Sequence, residues 1–241
     1  MGKTSDVDLG TLLGVWAHPD DETYLMAGLM AHGVRNGARV VCVTATRGEE
    51  GTWDPARWPP AELGKVREAE LMACLAVLGV DEHTWLDYHD GSCAAVDPAE
   101  GTARIQAIVE AVRPDSILTF GPDGMTGHSD HKAVSAWTTE AYRRAAPEGA
   151  RLYYATQTPE WAAQFVPVMN RFNVFMEPGT PPQTPNEDLA IDFQLPPDLL
   201  ELKLLAIQEH ASQVEGMLNA FGKDFFRRAM RTEFFRLGGE K

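Results

Sequence analysis

The chain has 241 residues, 44% of them hydrophobic and 23% charged, values typical of a folded globular protein with a sizeable core. Its formal net charge of −14 argues against sequence-independent nucleic-acid binding and against an anionic membrane surface, because both depend on Lys and Arg meeting phosphate groups. The expected partner is instead a small molecule.

The cysteines and the amino terminus indicate the kind of protein and where it is expected in the cell. Cys42, Cys74 and Cys93 form no Cys-x-x-Cys pair and are odd in number, so we expect neither a disulfide framework nor a thiolate zinc site. Residues 1–9 are polar and acidic without an apolar signal segment, and no later apolar run has the length of a membrane span. We therefore expect a cytoplasmic protein.

The chain begins with a strand, a helix and a second strand. The apolar run 12–16 predicts the first strand, residues 22–36 have helical apolar spacing, and the β-branched run 39–44 predicts the second strand. Such a βαβ unit favours a parallel sheet with right-handed crossovers.

The same alternation continues to about residue 155. The predicted elements are a helix over 61–78, a strand over 84–86, a helix over 98–112, a strand over 116–120, a helix over 132–144 and a strand over 152–155. The charged face of the helix over 61–78, which includes Arg67, is expected in solvent. The sequence thus predicts an α/β fold with a mostly parallel sheet flanked by helices.

The pattern weakens after residue 156. Prolines are frequent there, and the short candidate strands are 172–175 and 189–193. Two helices are predicted over 197–212 and 221–237, and the aromatic stripe of the second indicates core packing or a subunit contact. We expect one domain, with a core of about residues 10–155 and a less regular C-terminal cap of about residues 156–241; a homo-oligomer is compatible with this pattern.

The first polar cluster, Ala17-His18-Pro19-Asp20-Asp21-Glu22, directly follows the first strand. It places an imidazole and two adjacent carboxylates together without a Lys or Arg, and a divalent cation is the natural partner of such a set. Taken alone, the segment also fits a proline turn in which an Asp caps the next helix.

Three further polar loops also follow predicted strands. Residues 121–131 contain His128, Asp130 and His131, and the other two loops are 46–51 and 87–91. In an open α/β sheet such loops meet at one edge and form the ligand crevice. A lone histidine is more often a satisfied core or surface residue, but this clustering favours a functional site.

Together these loops predict a catalytic metal centre. His18, Asp21 and His131 make a His2Asp set that leaves one coordination position open, as in catalytic zinc sites. Hydrolysis also needs a base and a donor to the developing oxyanion. We assign Asp20 as the base and later proton donor, and His128, oriented by Asp130, as the oxyanion stabiliser. The residues alone leave open whether Arg47 contacts a ligand oxygen or pairs with nearby carboxylates.

The first motif, followed about a hundred residues later by Gly127-His128-Ser129-Asp130-His131, resembles the PIG-L/LmbE-like de-N-acetylase family over residues 12–145. The resemblance implies a Rossmann-like α/β fold, with zinc, or another divalent metal such as Fe²⁺, held by His18, Asp21 and His131. It also implies that Asp20 is the general acid/base and that Arg47 and Asp90 hold sugar hydroxyls. The segment 210–213 is similar to a C-terminal feature of many bacterial members, and the sequence leaves open whether its His210 contributes to the site.

The predicted function is metal-dependent removal of an N-acetyl or other N-acyl group from an amino sugar or related metabolite. The alternatives are an amidase of mycothiol-type thiol conjugates and a non-catalytic metal- or sugar-binding protein. Asp20 argues against the second alternative, because metal binding does not require that additional carboxylate. A dinucleotide enzyme is disfavoured, since His-Pro-Asp-Asp stands where a G-x-G-x-x-G loop would be needed.

Overall fold

A computed structural model describes residues 7–239 of the chain. Its strands are β1 (Leu12–Trp16), β2 (Val40–Thr44), β3 (Glu82–Trp85), β4 (Ser116–Phe120), β5 (Arg151–Ala155), β6 (Ile191–Gln194) and β7 (Thr232–Leu237). Its α-helices are α1 (Asp21–Arg35), α2 (Pro60–Leu78), α3 (Pro98–Val112), α4 (Gly124–Gly127), α5 (Ser129–Ala145), α6 (Pro159–Met169), α7 (Pro197–Glu209), α8 (Ala211–Phe221) and α9 (Lys223–Ala229).

No helix within residues 7–239 is long and apolar enough to cross a membrane. The expectation that no targeting segment is present rests partly on residues 1–6, which lie outside the described residues.

The strands form one sheet in the order β3-β2-β1-β4-β5-β7-β6. The first five in this order are parallel, and β7 pairs antiparallel with both β5 and β6. Every residue of β1, β2 and β4 is buried, as expected for parallel strands covered by helices on both faces. The predicted α/β fold with a mostly parallel sheet flanked by helices is confirmed.

The strand order places the polar loops next to one another. The chain leaves β1 for β2 on one side, and β4 joins β1 on the other, so the direction of strand addition reverses at β1. Ligands of open α/β sheets bind at the carboxyl ends of the strands beside such a reversal. The loops that follow β1, β2, β3 and β4 therefore line one crevice.

The C-terminal part departs from the sequence prediction in three places. The helix predicted over 221–237 is wrong: its second half is strand β7, in which half-buried and buried residues alternate with the period of a strand. The helix predicted over 197–212 ends at Glu209, and α8 begins after His210. The candidate strand over 172–175 is not formed, whereas the candidate over 189–193 corresponds to β6. Phe225, Phe226 and Phe235 of the aromatic stripe are buried within the chain.

A buried ion pair fastens this C-terminal part to helix α1. The Nζ of Lys203 donates to Glu233 Oε1 and to the carbonyl oxygen of Tyr24, both at 2.7 Å. The Glu233 carboxylate in turn accepts from the backbone N–H groups of Gly28, at 2.7 Å, and Leu29, at 2.9 Å. Because the side chains of Lys203 and Glu233 are both fully buried, these bonds hold α1 by its backbone as well as by apolar packing.

Gly28 has a packing role in the same contact. A Cβ atom at this position would lie 2.6 Å from Leu195 Cδ2. Glycine therefore lets the segment around Leu195 pack closely against α1. Helix α1 carries Asp21 at its first position, and its placement therefore sets the position of the candidate site.

Candidate active site

The turn between β1 and α1 is strained at Asp20. This residue has φ 124° and ψ −27°, a backbone conformation that non-glycine residues rarely adopt. Its backbone N–H donates to Glu22 Oε2 at 3.1 Å, and Glu22 Oε1 lies 3.2 Å from His210 Nε2. Glu22 and His210 are both buried. The conformation of Asp20 is therefore held by a carboxylate that is itself paired with the α7–α8 junction of the same chain.

The three predicted metal ligands lie together. His18 Nδ1 is 3.0 Å from His131 Nε2 and 3.7 Å from Asp21 Oδ2, and His131 Nε2 is 3.4 Å from Asp21 Oδ1. Ligand bonds of about 2.0–2.2 Å to a tetrahedral zinc ion place neighbouring ligand atoms roughly 3.3 Å apart. The spacing of the three side chains fits such an ion.

The hydrogen bonds of the two imidazoles also fit a cation. His131 Nδ1 donates to the carbonyl oxygen of Gly124 at 2.9 Å, which leaves a lone pair on Nε2. His18 Nε2 faces Asp90 Oδ1 at 3.0 Å and Asp130 Oδ2 at 3.4 Å, so its proton is held there and Nδ1 presents a lone pair. Two lone pairs that face each other at 3.0 Å need a positive charge between them.

A proton on one of the two nitrogens would supply such a charge, and so would a metal ion. Burial opposes protonation of His18, but the carboxylates of Asp130 and Asp90 raise its pKa to about 10. Burial and the charge on His18 lower the pKa of His131 well below its ordinary value. A divalent metal would replace this proton, as expected for an imidazole ligand whose other nitrogen is held by a carboxylate.

The carboxylate of Asp130 binds backbone N–H groups and His18. This fully buried carboxylate accepts from the N–H groups of Gly91, at 2.7 Å, and Cys93, at 3.0 Å, and contacts His18. The part of Asp130 that contacts His128 is its backbone N–H, which donates to His128 Nδ1 at 3.1 Å. The carboxylate instead contacts His18, one of the predicted metal ligands.

His128 is set up as a neutral hydrogen-bond donor. Burial, followed by the charge on His18, lowers its pKa. Because Nδ1 accepts a backbone N–H, the single proton of the neutral ring is on Nε2. Its ring centroid lies 4.7 Å from that of His18 and 5.2 Å from that of His131, two of the predicted metal ligands.

Asp90 lies in the site, but its carboxylate already has partners. Oδ1 contacts His18 Nε2, and Oδ2 accepts from the backbone N–H of Glu50 at 3.0 Å. The contact with His18 places Asp90 behind a predicted metal ligand, which differs from the sugar contact that the resemblance implies.

Asp20 is paired with an arginine that sequence reasoning missed. Arg67 of α2 is 4% exposed and donates to Pro19 O at 2.5 Å, Gly48 O at 2.8 Å and Asp20 Oδ2 at 3.1 Å. The expectation that it lies in solvent is wrong. Its position along the helix could have indicated burial. Arg67 is four residues from both Leu63 and Leu71, on the apolar stripe that α2 buries.

Arg47 pairs with carboxylates in the structure. Its guanidinium contacts Glu68 Oε2 at 2.8 Å and Asp87 Oδ1 at 2.6 Å and lies 4.4 Å from the ring centroid of Trp85. In the described part of the chain, none of these partners belongs to the cluster around His18. Of the two interpretations left open for Arg47, these contacts favour pairing with carboxylates, and its role as a substrate contact stays a prediction.

Comparisons with known proteins agree with this geometry. Residues 13–142 match the family described as PIG-L, GlcNAc-PI de-N-acetylase. A 1D-myo-inositol 2-acetamido-2-deoxy-alpha-D-glucopyranoside deacetylase from Mycobacterium sp. (strain KMS) is 32% identical over 244 residues, which cover 86% of this chain and 75% of that protein. Some further relatives of the same description match over 46% to 58% of their own length.

Two solved structures share the fold. N,N'-diacetylchitobiose deacetylase from Pyrococcus horikoshii has a TM-score of 0.66 and 22% identity, covering 96% of this chain and 84% of its own. The 4-carboxy-2-hydroxymuconate hydratase from Pseudomonas putida KT2440 has a TM-score of 0.68 and 18% identity, covering 97% of this chain and 98% of its own. Because one is a deacetylase and the other a hydratase, this likeness establishes the architecture and leaves the reaction to the site residues.

Proposed function

The chain belongs to the PIG-L, GlcNAc-PI de-N-acetylase family, and from that membership we propose the substrate, the metal ligands and the roles of its site residues. It is a metal-dependent deacetylase that hydrolyses the amide of an N-acetylated amino sugar. The observation that carries this proposal is the cluster of His18, Asp21 and His131 with the carboxylate of Asp20 beside it. The descriptions of the relatives favour this function over an amidase of thiol conjugates and over a non-catalytic binding protein.

We propose that His18 Nδ1, His131 Nε2 and the Asp21 carboxylate hold the metal. Imidazole and carboxylate ligands suit zinc, and Fe²⁺ is the alternative. When bound, such an ion acts as a Lewis acid on the substrate carbonyl and acidifies a water molecule.

Asp20 moves the protons in the proposed mechanism. Burial raises the pKa of its carboxyl group, and the charges of Arg67 and His210 act in the opposite direction. A carboxylate with a raised pKa is a better proton acceptor near neutral pH. Asp20 takes a proton from the attacking water and later gives it to the leaving amine, while His128 donates from Nε2 to the oxyanion of the tetrahedral intermediate.

Arg67 is the positioning residue for Asp20. We therefore expect substitution of Arg67 to lower kcat much more than the same substitution of Arg47. Arg67→Lys should lower kcat about 10- to 100-fold, because one ammonium group cannot reproduce charge-assisted bonds to Pro19, Gly48 and Asp20. Arg47→Lys should change kcat by about twofold or less, since its partners are surface carboxylates. Steady-state kinetics with metal-loaded protein measure both. A larger loss of kcat for Arg47→Lys would indicate that Arg47 contacts the substrate.

The direct test is acetate release from a panel of N-acetylated amino sugars. We expect the metal-loaded protein to release acetate from N-acetylglucosamine, an N-acetylglucosaminyl inositol or N,N'-diacetylchitobiose. Chelation should abolish the activity, and added Zn²⁺ should restore it. Cleavage of an N-acylated cysteinyl conjugate alone would support the amidase instead, and no cleavage of any substrate would contradict the proposed function.

A small N-acetylated molecule is the proposed partner. The absence of a nucleic-acid or membrane partner, a cytoplasmic location and self-association stay predictions from the sequence.

A further inference from the structure

A small cavity of about 110 Å³ adjoins the candidate metal centre. Asp21 and His131, two of the proposed metal ligands, line it at one end. Its other walls are mainly apolar and include four methionines, Met125, Met169, Met217 and Met230. The cavity lies between the sheet and the C-terminal helices α6, α8 and α9.

The two sides of the candidate site differ in polarity. On the side of His18 Nε2 lie the carboxylates of Asp90 and Asp130, with the Glu49–Glu50 loop beside Asp90. The sugar half of an N-acylated amino sugar carries hydroxyl groups, whereas its acyl chain is apolar. Of the two halves, the acyl chain therefore suits the apolar cavity at Asp21 and His131.

The cavity is larger than an acetyl group requires. An apolar cavity of about 150 Å³ can hold a benzene ring, so about 110 Å³ has room for roughly four carbon atoms. A single acetyl methyl group would leave most of this space empty. Methionine side chains are flexible and polarizable, which lets such walls adapt to a short chain.

We propose that this cavity binds the acyl side of the substrate amide, and that the enzyme prefers N-acyl groups of four or five carbon atoms over N-acetyl. This inference rests on the proposed amide hydrolysis. It adds the class of acyl group to that function.

The test compares N-acetyl- and N-butanoyl-glucosamine with the metal-loaded protein. Each buried methylene group increases affinity about fourfold, so the two additional methylene groups of butanoyl should raise kcat/KM about 10- to 20-fold over acetyl. If acetyl is the faster substrate, the inference is overturned while the proposed function stands. If no amide is cleaved, the proposed function fails.

Two variants should move the preference in opposite directions. Met217→Ala enlarges the cavity and should raise the butanoyl-to-acetyl ratio of kcat/KM, whereas Val174→Phe fills it and should lower the ratio about tenfold. Val174 also lines the cavity. Met72→Ala, at an exposed methionine of α2, is the control and should leave the ratio unchanged. A general folding defect would lower all rates without reversing the ratio, and equal ratios in the three variants would contradict the assignment.

Binding of the product carboxylates gives a readout that does not depend on turnover. Calorimetry with the metal-loaded protein should show butanoate binding about tenfold more tightly than acetate. Equal affinities for the two carboxylates would overturn the assignment of the cavity to the acyl group.

Discussion

Asp20→Asn is expected to lower kcat for acetate release about a thousandfold while the protein keeps its metal. General acid–base catalysis contributes about 10²- to 10⁴-fold, and the neutral amide cannot accept the proton of the attacking water. The Asp20 carboxylate is paired with Arg67 at 3.1 Å and is not one of the three proposed metal ligands. Asn also tolerates positive φ better than most residues, so the strained turn should persist. Acetate release and metal content by atomic emission measure the two effects.

Asp87→Asn is the matched control for this variant, because the same change is made at an exposed carboxylate that pairs with Arg47. It should keep nearly all activity. If Asp20→Asn retains more than about a tenth of the wild-type kcat, Asp20 is not the general base required by the proposed mechanism.

His131→Ala is expected to lose most of the bound metal, and activity with it. The Nε2 atom of His131 lies 3.0 Å from His18 Nδ1 and 3.4 Å from Asp21 Oδ1, so its removal takes one of three protein ligands from the proposed site. Metal content after dialysis should fall to less than about a tenth of the wild-type value, since even outer partners of metal ligands are worth about 10- to 100-fold in affinity.

Two other histidines make this experiment specific. His89→Ala changes a largely exposed side chain and should retain the metal. His128 needs its own variant, because ring nitrogens of His18, His128 and His131 also lie within 4.8 Å of one another. If Asp21 is the third ligand, His128→Ala keeps the metal but loses activity. Loss of metal equal to that of His131→Ala would put His128 in the ligand set.

The sequence could predict that the residues of the candidate site lie together because each of them lies at a strand end. His18, Asp21 and His131 are more than a hundred residues apart at the extremes, yet each belongs to a loop that follows a recognisable apolar strand. Parallel strands direct such loops to one edge of the sheet, so the local pattern was sufficient to predict their meeting. The same reasoning could not distinguish Arg47 from Arg67, since the direction of a long side chain depends on what packs around it.

The C-terminal errors have a related physical origin. Residues 221–237 carry an aromatic pattern that fits a helix, but residues 232–237 can gain ladder hydrogen bonds with both β5 and β6. Tertiary pairing of this kind overrides local propensity, which depends strongly on context for strands. The Lys203–Glu233 pair, which satisfies backbone groups of α1, likewise has no signature in spacing along the chain.

The sequence by itself determined the α/β class, the edge of the sheet that carries the site and the proposed metal-binding and proton-transfer residues. These follow from hydrophobic periodicity and from residue chemistry, which act over a few neighbouring positions. Only the tertiary structure decided that Arg67 rather than Arg47 meets Asp20 and that the Asp130 carboxylate contacts His18. It also decided that His210 reaches Glu22 and that an apolar cavity adjoins the candidate metal centre. Those features are contacts between segments distant in sequence, and their energies depend on burial and packing that exist only once the chain has folded.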